Sequence, residues 1–357
     1  MHRSVIAGIV LCAVLAGGAI WLWLQPQSAT RLQADAQAEG AVRIVGNADA
    51  DAVAPLIAAF RSRHPQLEVV YQDLQSSALN QRVLADAATA RPTIDIVWSS
   101  AMDLQAKLIN DGYAQAYASI HKSALPAEAV WKDMGYAITS TPVALVYNRQ
   151  ALSVDRVPRT HRAMQQLLAS GDPDLRGRVT TYDPARSDLG YLYLTQDLAA
   201  TRDTYALVRG LAANDPLLVA TTAEMVDAVA TGRAAIAYNV VGPYAVERAE
   251  TDPRLGVVFL EDYTLVASRV AFIARDAPHP AAARLFLDWM LSTEGQALLA
   301  EEWLPPVRTD MADQGLPVTQ PRVIDGGPQL FVNLDPVKRR RVLGEWDAIL
   351  AEGASAR

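Results

Sequence analysis

The segment AIAYNVVGPYAVE, residues 235–247, runs from an apolar strand pattern through Tyr238 and Asn239 into Gly242, Pro243 and a helix-like stretch. A phenol and an amide at the end of a strand are hydrogen-bonding groups held where open α/β sheets take their ligands. The competing reading makes Tyr238 a core aromatic and Asn239 a helix cap. Two other junctions carry anion chemistry. In YDPARSDLGY, residues 182–191, Ser187, Asp188 and the amides through Gly190 open a helix, and Arg186 adds a fixed positive charge. Free N–H groups and the dipole of a helix start suit phosphate or carboxylate. VWSSAMD, residues 97–103, repeats the arrangement with Ser99 and Ser100. In both places the alternative is plain capping.

Other chemistries find little support. His2, His64, His121, His161 and His279 show no ligand spacing, and the one cysteine, Cys12, lies in an N-terminal apolar run. Zinc and thiol chemistry are therefore not expected in the folded body. No GxSxG, HExxH, Walker or GxGxxG pattern occurs, and the acid pairs Glu301-Glu302 and Glu261-Asp262 read as a solvated helix face and a turn. The chain is expected not to be an enzyme and to need no cofactor. A net charge of −7 gives no general basic field for nucleic acid.

The elements that must position these groups follow from periodicity. Residues 4–24 are uncharged and mostly apolar, long enough to cross a hydrocarbon core of about 30 Å at roughly 1.5 Å per residue. The length of this run and Trp21 and Trp23 at its end favour an uncleaved anchor, with cleavage after Ala34-Asp35-Ala36 as the alternative, and Arg3 before it favours the start staying inside. Residues 25–40 read as a linker. From residue 41 strands and helices alternate: AVRIVG, then a helix with Val53, Leu56, Ile57 and Phe60 on one face, then LEVVYQDL, and so on through TIDIVWSS and AMDLQAKLINDG. A second run begins at PVALVYN, and the late part is helix-rich. Such alternation predicts an α/β protein with mainly parallel, doubly wound sheets, and the length and the 51% hydrophobic content suffice for two cores.

From about residue 42 to residue 303 the order of LIAAFRSRHPQLEVVY, IDIVWSSAMDLQAKLINDGY, ALVYNRQAL, LRGRVTTYDPARSDLGY, TGRAAIAYNVVGPYAVERA and APHPAAARLFLDWMLSTEGQALLA resembles the extracellular solute-binding proteins of bacterial ABC importers, in the branch that includes ferric-iron-binding proteins. The resemblance implies the two-lobed type II periplasmic-binding-protein fold, with lobe one at 41–142 plus 264–357 and lobe two at 143–263. Hinge crossings would fall near 141–147 and 263–271. Tyr238 and Asn239 would then project into the cleft. They would be joined by Asn47 and Asp49 after the first strand, Thr139, Ser140 and Thr141 at one hinge, and Tyr263 and Thr264 at the other, while Tyr244 packs.

The paired tyrosines of the ferric branch would fall on Val240 and Val241, and the histidine after its first strand is replaced by Asn47, Asp49 and Asp51. Valine cannot ligate iron. A small anionic solute, phosphorylated or carboxylated, fits better, and Asp49 could accept hydrogen bonds from ligand hydroxyls. Relatives with a segment like YNVVGPYA resemble binders of phosphorylated solutes, some of which report to a sensor kinase. The expected protein is a periplasmic, monomeric solute-binding subunit whose partner is an ABC permease. The alternatives are a membrane-anchored sensor for a histidine kinase and an Fe(III)-binding protein.

Overall fold

The structure is a computed structural model that describes residues 29–355; the expected membrane anchor at 4–24 lies outside the described residues. The chain enters through helix α1 (Ala29–Glu39), and then alternates β1 (Ala41–Gly46), α2 (Ala50–Arg63), β2 (Glu68–Asp73), α3 (Ser76–Ala87), β3 (Ile96–Ser99) and α4 (Met102–Asn110). Two short strands, β4 (Val130–Trp131) and β5 (Gly135–Ala137), precede the long crossing strand β6 (Thr141–Asn148). Beyond it come α5 (His161–Leu168), β7 (Val179–Tyr182), α6 (Asp188–Ala200), α7 (Thr204–Ala213), β8 (Leu217–Val219), α8 (Thr222–Ala230), β9 (Ile236–Val241), α9 (Gly242–Thr251) and β10 (Leu255–Val258). The chain returns through β11 (Thr264–Ala267) and β12 (Val270–Ile273) to α10 (Pro280–Leu291) and α11 (Thr293–Glu301). It ends in β13 (Pro321–Val323), α12 (Pro328–Phe331) and α13 (Pro336–Ser355).

Two sheets result. The first has the order β2-β1-β3-β12-β5-β4 and the second β13-β11-β6-β9-β7-β8, with β10 also paired to β6. Both are mixed rather than mainly parallel. In the first, β1 pairs in parallel with β2 and β3, whereas the returning strand β12 runs antiparallel to β3 and β5. In the second, β7 is parallel to β8 and β9, but β6 runs against β9 and β11. Strands that carry the chain between sheets arrive from the opposite end, so they cannot continue the parallel set.

Two expectations fail at the chain's ends. The linker expected at 25–40 is helical from Ala29, because Leu32 and Ala36, one turn apart, are buried with Phe286 and Leu287 of α10 in one core. Glu39 then accepts the free amides of Ala281 (3.1 Å) and Ala282 (2.8 Å), capping α10 from outside. At the other end, residues 336–355 are expected wholly within lobe one, yet Trp346 and Ile349 of α13 pack on Leu194, Val208 and Ala212 from the second sheet's layer. The end of the chain therefore belongs to both halves: Ile324 and Leu330 share a core with Met102 and Ala106 of α4, while α13 lies on α7.

Candidate functional site

A cavity of about 730 Å³ opens between the two sheets' strand ends. One wall holds Asn47, Asp49, Ser76 and Ser100, which follow β1, open α3 and follow β3; the other holds Arg186, Ser187 and Asp188 at the start of α6, the start of α8, and Tyr244 on α9. A volume of this size suits a small organic molecule. Beneath it lies a floor pocket of about 100 Å³, which shares Ser100, Leu189, Thr222 and Tyr244 with the main cavity and adds Thr141, Arg269 and Trp303.

Asn47 is the hub of the first wall. Its Nδ2 donates to Ser76 Oγ and Ser100 Oγ, each at 2.8 Å, and its Oδ1 accepts from the Ser100 amide at 2.9 Å. The same Oδ1 accepts from Arg269 Nη1 at 2.7 Å, and the Asn47 carbonyl takes a second bond from that nitrogen at 3.1 Å. Arg269 Nη2 donates to Tyr244 Oη at 3.1 Å, which ties the turn between β11 and β12 to helix α9. Tyr244, expected only to pack, is thus a polar member of the site.

Arg269 is only 8% exposed, and among the described residues no carboxylate lies within ion-pair distance of it. A guanidinium has five N–H donors, and the bonds to Asn47 and Tyr244 do not exhaust them. A buried, unpaired cation is costly unless an anion completes it. A signal for it exists in the sequence, since LVASRVAFI places a single charge inside an apolar run, and arginine is rarely buried without a partner.

The other expected residues divide by position. Asp49 lines the cavity, exposed, and although it precedes α2 its side chain makes no cap bond. Ser187 lines it too, while its Oγ caps α6 by accepting the Gly190 amide at 3.2 Å. Asp188 faces Arg339 at 3.7 Å. The charge on Arg186 is already engaged, because Nε donates to Asp183 at 2.7 Å and Nη2 to the Leu218 carbonyl at 2.9 Å. Thr141 reaches the floor pocket. Thr139 is fully buried, and its Oγ1 accepts the Arg269 amide at 2.9 Å, so it supports the site from behind. Ser99 is buried and accepts the Ala101 amide at 3.2 Å, and Thr264 is buried and donates to the Leu260 carbonyl at 2.8 Å; neither lines the cavity.

Tyr238, Asn239 and Tyr263 lie outside the cavity, contrary to expectation. All three donate to the buried carboxylate of Asp197 on α6: Tyr238 Oη at 2.9 Å, Asn239 Nδ2 at 2.8 Å and Tyr263 Oη at 2.8 Å. Adjacent strand residues ordinarily point to opposite faces. Here the register of β9 against β6 slips between Ala144 and Val146, and Asn239 takes a left-handed φ of 64°, so a bulge turns both side chains toward one group. The cluster continues to His161, which stacks on Tyr263 (3.8 Å between centroids) and bonds Asp262. Burial raises the Asp197 pKa, and His161 and the three donors offset that only in part. Gly242 serves packing instead, because a Cβ there would stand 2.5 Å from the Pro142 carbonyl, so only glycine lets α9 start hard against β6.

Tyr238→Phe should therefore cost stability rather than binding. Losing a hydrogen bond to a buried carboxylate removes about 1.5–3 kcal/mol. A lowered melting temperature with anion affinity unchanged is the expected pair of measurements, and weakened affinity at an unchanged melting temperature would return Tyr238 to the ligand site.

Among the described residues no group of three or more His, Cys, Asp or Glu side chains is arranged to hold a metal, and no helix is long and apolar enough to cross a membrane. Residues 46–297 match the family model described as bacterial extracellular solute-binding protein. The fold is similar to that of the substrate-binding protein of an ABC transporter from Agrobacterium tumefaciens, 30% identical over 87% of this chain and 94% of that one, with a TM-score of 0.79. At 17% identity it also resembles iron-bound HitA from Pseudomonas aeruginosa (TM-score 0.70) and AfuA from Actinobacillus pleuropneumoniae with exogenous fructose-6-phosphate bound (0.68), each covering 87% of this chain and 99% of the other. No curated protein sequence matches. A matched family model over most of the chain, two sheets with the cavity between them, and this likeness in fold make the chain a member of the bacterial extracellular solute-binding proteins of ABC transporters.

Proposed function

We propose that this protein captures a small organic anion, phosphorylated or carboxylated, in the cavity between its sheets and delivers it to an ABC permease. The observation that carries the reading is Arg269, a buried guanidinium at the floor of the cavity with no carboxylate at ion-pair distance among the described residues, although Asp73 feels its charge from farther away. The hydroxyls of Ser100 and Tyr244 stand beside it, and Asp49 at the mouth is free to accept from ligand hydroxyls. Thr141 and Ala267, paired across β6 and β11, are the crossing points about which the halves would move. A ligand touching both walls favours the closed arrangement, because only that arrangement makes every contact.

The ferric alternative has the local charge against it. Val241, where the resemblance would put a tyrosine, lines the floor pocket beside Arg269, and a guanidinium repels Fe(III). Tyr182, which does line the cavity, is held as a neutral phenol, since burial pushes its pKa well up. We further propose that residues 4–24 tether the protein to the periplasmic face of the inner membrane; an intact N-terminus on the membrane-bound protein would support this, and a mature protein starting after Ala36 would end it.

The test of the ligand class is a thermal-shift series on the full chain in detergent, with glucose 6-phosphate, 3-phosphoglycerate, citrate and ferric citrate as probes. Occupancy at 100 times Kd stabilises by about 2.7 kcal/mol. Shifts with the organic anions are expected. A shift that requires iron would overturn the reading.

A further inference from the structure

Trp303 takes a left-handed φ of 57° immediately after α11. The Leu304 amide bonds the Leu299 carbonyl at 2.9 Å and the Trp303 amide bonds that of Ala300 at 3.2 Å, the pairing of a Schellman ending in which the left-handed position normally belongs to glycine. A bulky aromatic residue there is an outlier. It is also half-buried and lines the floor pocket that contains Arg269. Leu189, Val241, Pro243 and Leu304 add hydrocarbon beside it, while Ser100, Thr141, Thr222, Ser268 and Tyr244 bring hydroxyls to the same lining. The pocket thus sets one cation and a few hydroxyls beside an aromatic and aliphatic wall. A bare oxyanion would satisfy Arg269 and leave that wall against water.

Building on the anion reading above, we infer that Trp303 determines specificity at this site: it selects anions whose acidic group is joined directly to an apolar or planar carbon unit and discriminates against inorganic oxyanions. The guanidinium fixes the acid, and the carbon unit lies along the indole and the Val241 and Pro243 side before the rest of the molecule enters the larger cavity.

Calorimetric titration of the full chain with phenylphosphonate and with inorganic phosphate, at a pH where both are dianions, separates the two ideas. The wild type should bind phenylphosphonate at least about ten-fold tighter, the scale of one aromatic contact. Trp303→Gly, which installs the residue the backbone prefers, should erase that preference, bringing phenylphosphonate affinity down to that of phosphate. Equal binding of the two probes by the wild type, or a preference that survives Trp303→Gly, overturns the role of Trp303; Arg269→Gln weakening both probes would still uphold the anion reading. Binding of neither probe, or binding indifferent to Arg269→Gln, brings down both. If Trp303→Gly does not fold, Trp303→Phe must keep the preference and Trp303→Leu lose it, and the reverse pattern overturns the inference.

Discussion

Arg269→Gln should weaken binding of an organic anion by at least about 100-fold while leaving the empty protein no less stable than the wild type. The first half follows from geometry. Arg269 is buried, and its orientation is fixed by two bonds to Asn47 and one to Tyr244, so an anion in the floor pocket meets a preorganised charge shielded from water. Truncating one partner of such a buried charge pair costs about 2–5 kcal/mol. The second half follows from the same burial. Without ligand the guanidinium has no carboxylate at ion-pair distance among the described residues, and a buried unpaired charge is a standing penalty. Arg186 supplies the contrast: 59% exposed and already bonded to Asp183, it should change affinity by less than about three-fold when replaced by alanine. Isothermal titration and melting curves of the three proteins decide the matter. If the two arginine variants lose affinity equally, the anion sits at the mouth of the cavity and not on its floor.

The arrangement of strands and helices is legible in the sequence because apolar spacing records which face of an element is buried, and no long-range information is needed for that. It locates Val53, Leu56, Ile57 and Phe60 on the inner face of α2, and it locates the strand ends that surround the cavity. Asn47, Asp49, Ser100, Arg186, Ser187 and Asp188 line that cavity because each follows a strand closely. What spacing does not record is a change of register. The slip of β9 against β6, with Asn239 left-handed, redirects Tyr238 and Asn239 from the cleft to Asp197, a residue far away in sequence. Arg269 leaves a signal, the lone charge in the apolar run LVASRVAFI, but that charge looks like a turn until the strands on either side prove to belong to different sheets. Helix α1 is hard to read because only Leu32 and Ala36 mark its buried face, too short a pattern to stand above a polar linker.

Asp103→Asn should raise the melting temperature at neutral pH and flatten its dependence on pH. Asp103 lies in the first turn of α4, 3% exposed, and its Oδ1 accepts the Leu104 amide at 2.9 Å. The charged groups that act on it come from two other elements: Asp188 opens α6, and Arg339 lies on α13, over the ring of Tyr191. Burial, reinforced by Asp188, pushes its pKa up to about 6, and the backbone bonds and Arg339 offset this only in part. A carboxyl that binds its proton more tightly when folded contributes stability fully below its unfolded pKa, and that contribution is lost as pH rises through its folded pKa. The loss therefore falls between the ordinary aspartate value of 3.8 and about 6, and above that window it amounts to something on the order of 3 kcal/mol. Asparagine keeps the acceptor for Leu104 and carries no charge, although its amide N–H groups need partners in the same buried space, so a net gain of about 1–2 kcal/mol at pH 7 is expected. Melting curves from about pH 4 to about pH 8, which bracket that window, should show the wild type falling away from the variant as pH rises. Parallel curves would mean that Asp103 is ionised throughout, with Arg339 closer to it than to Asp188.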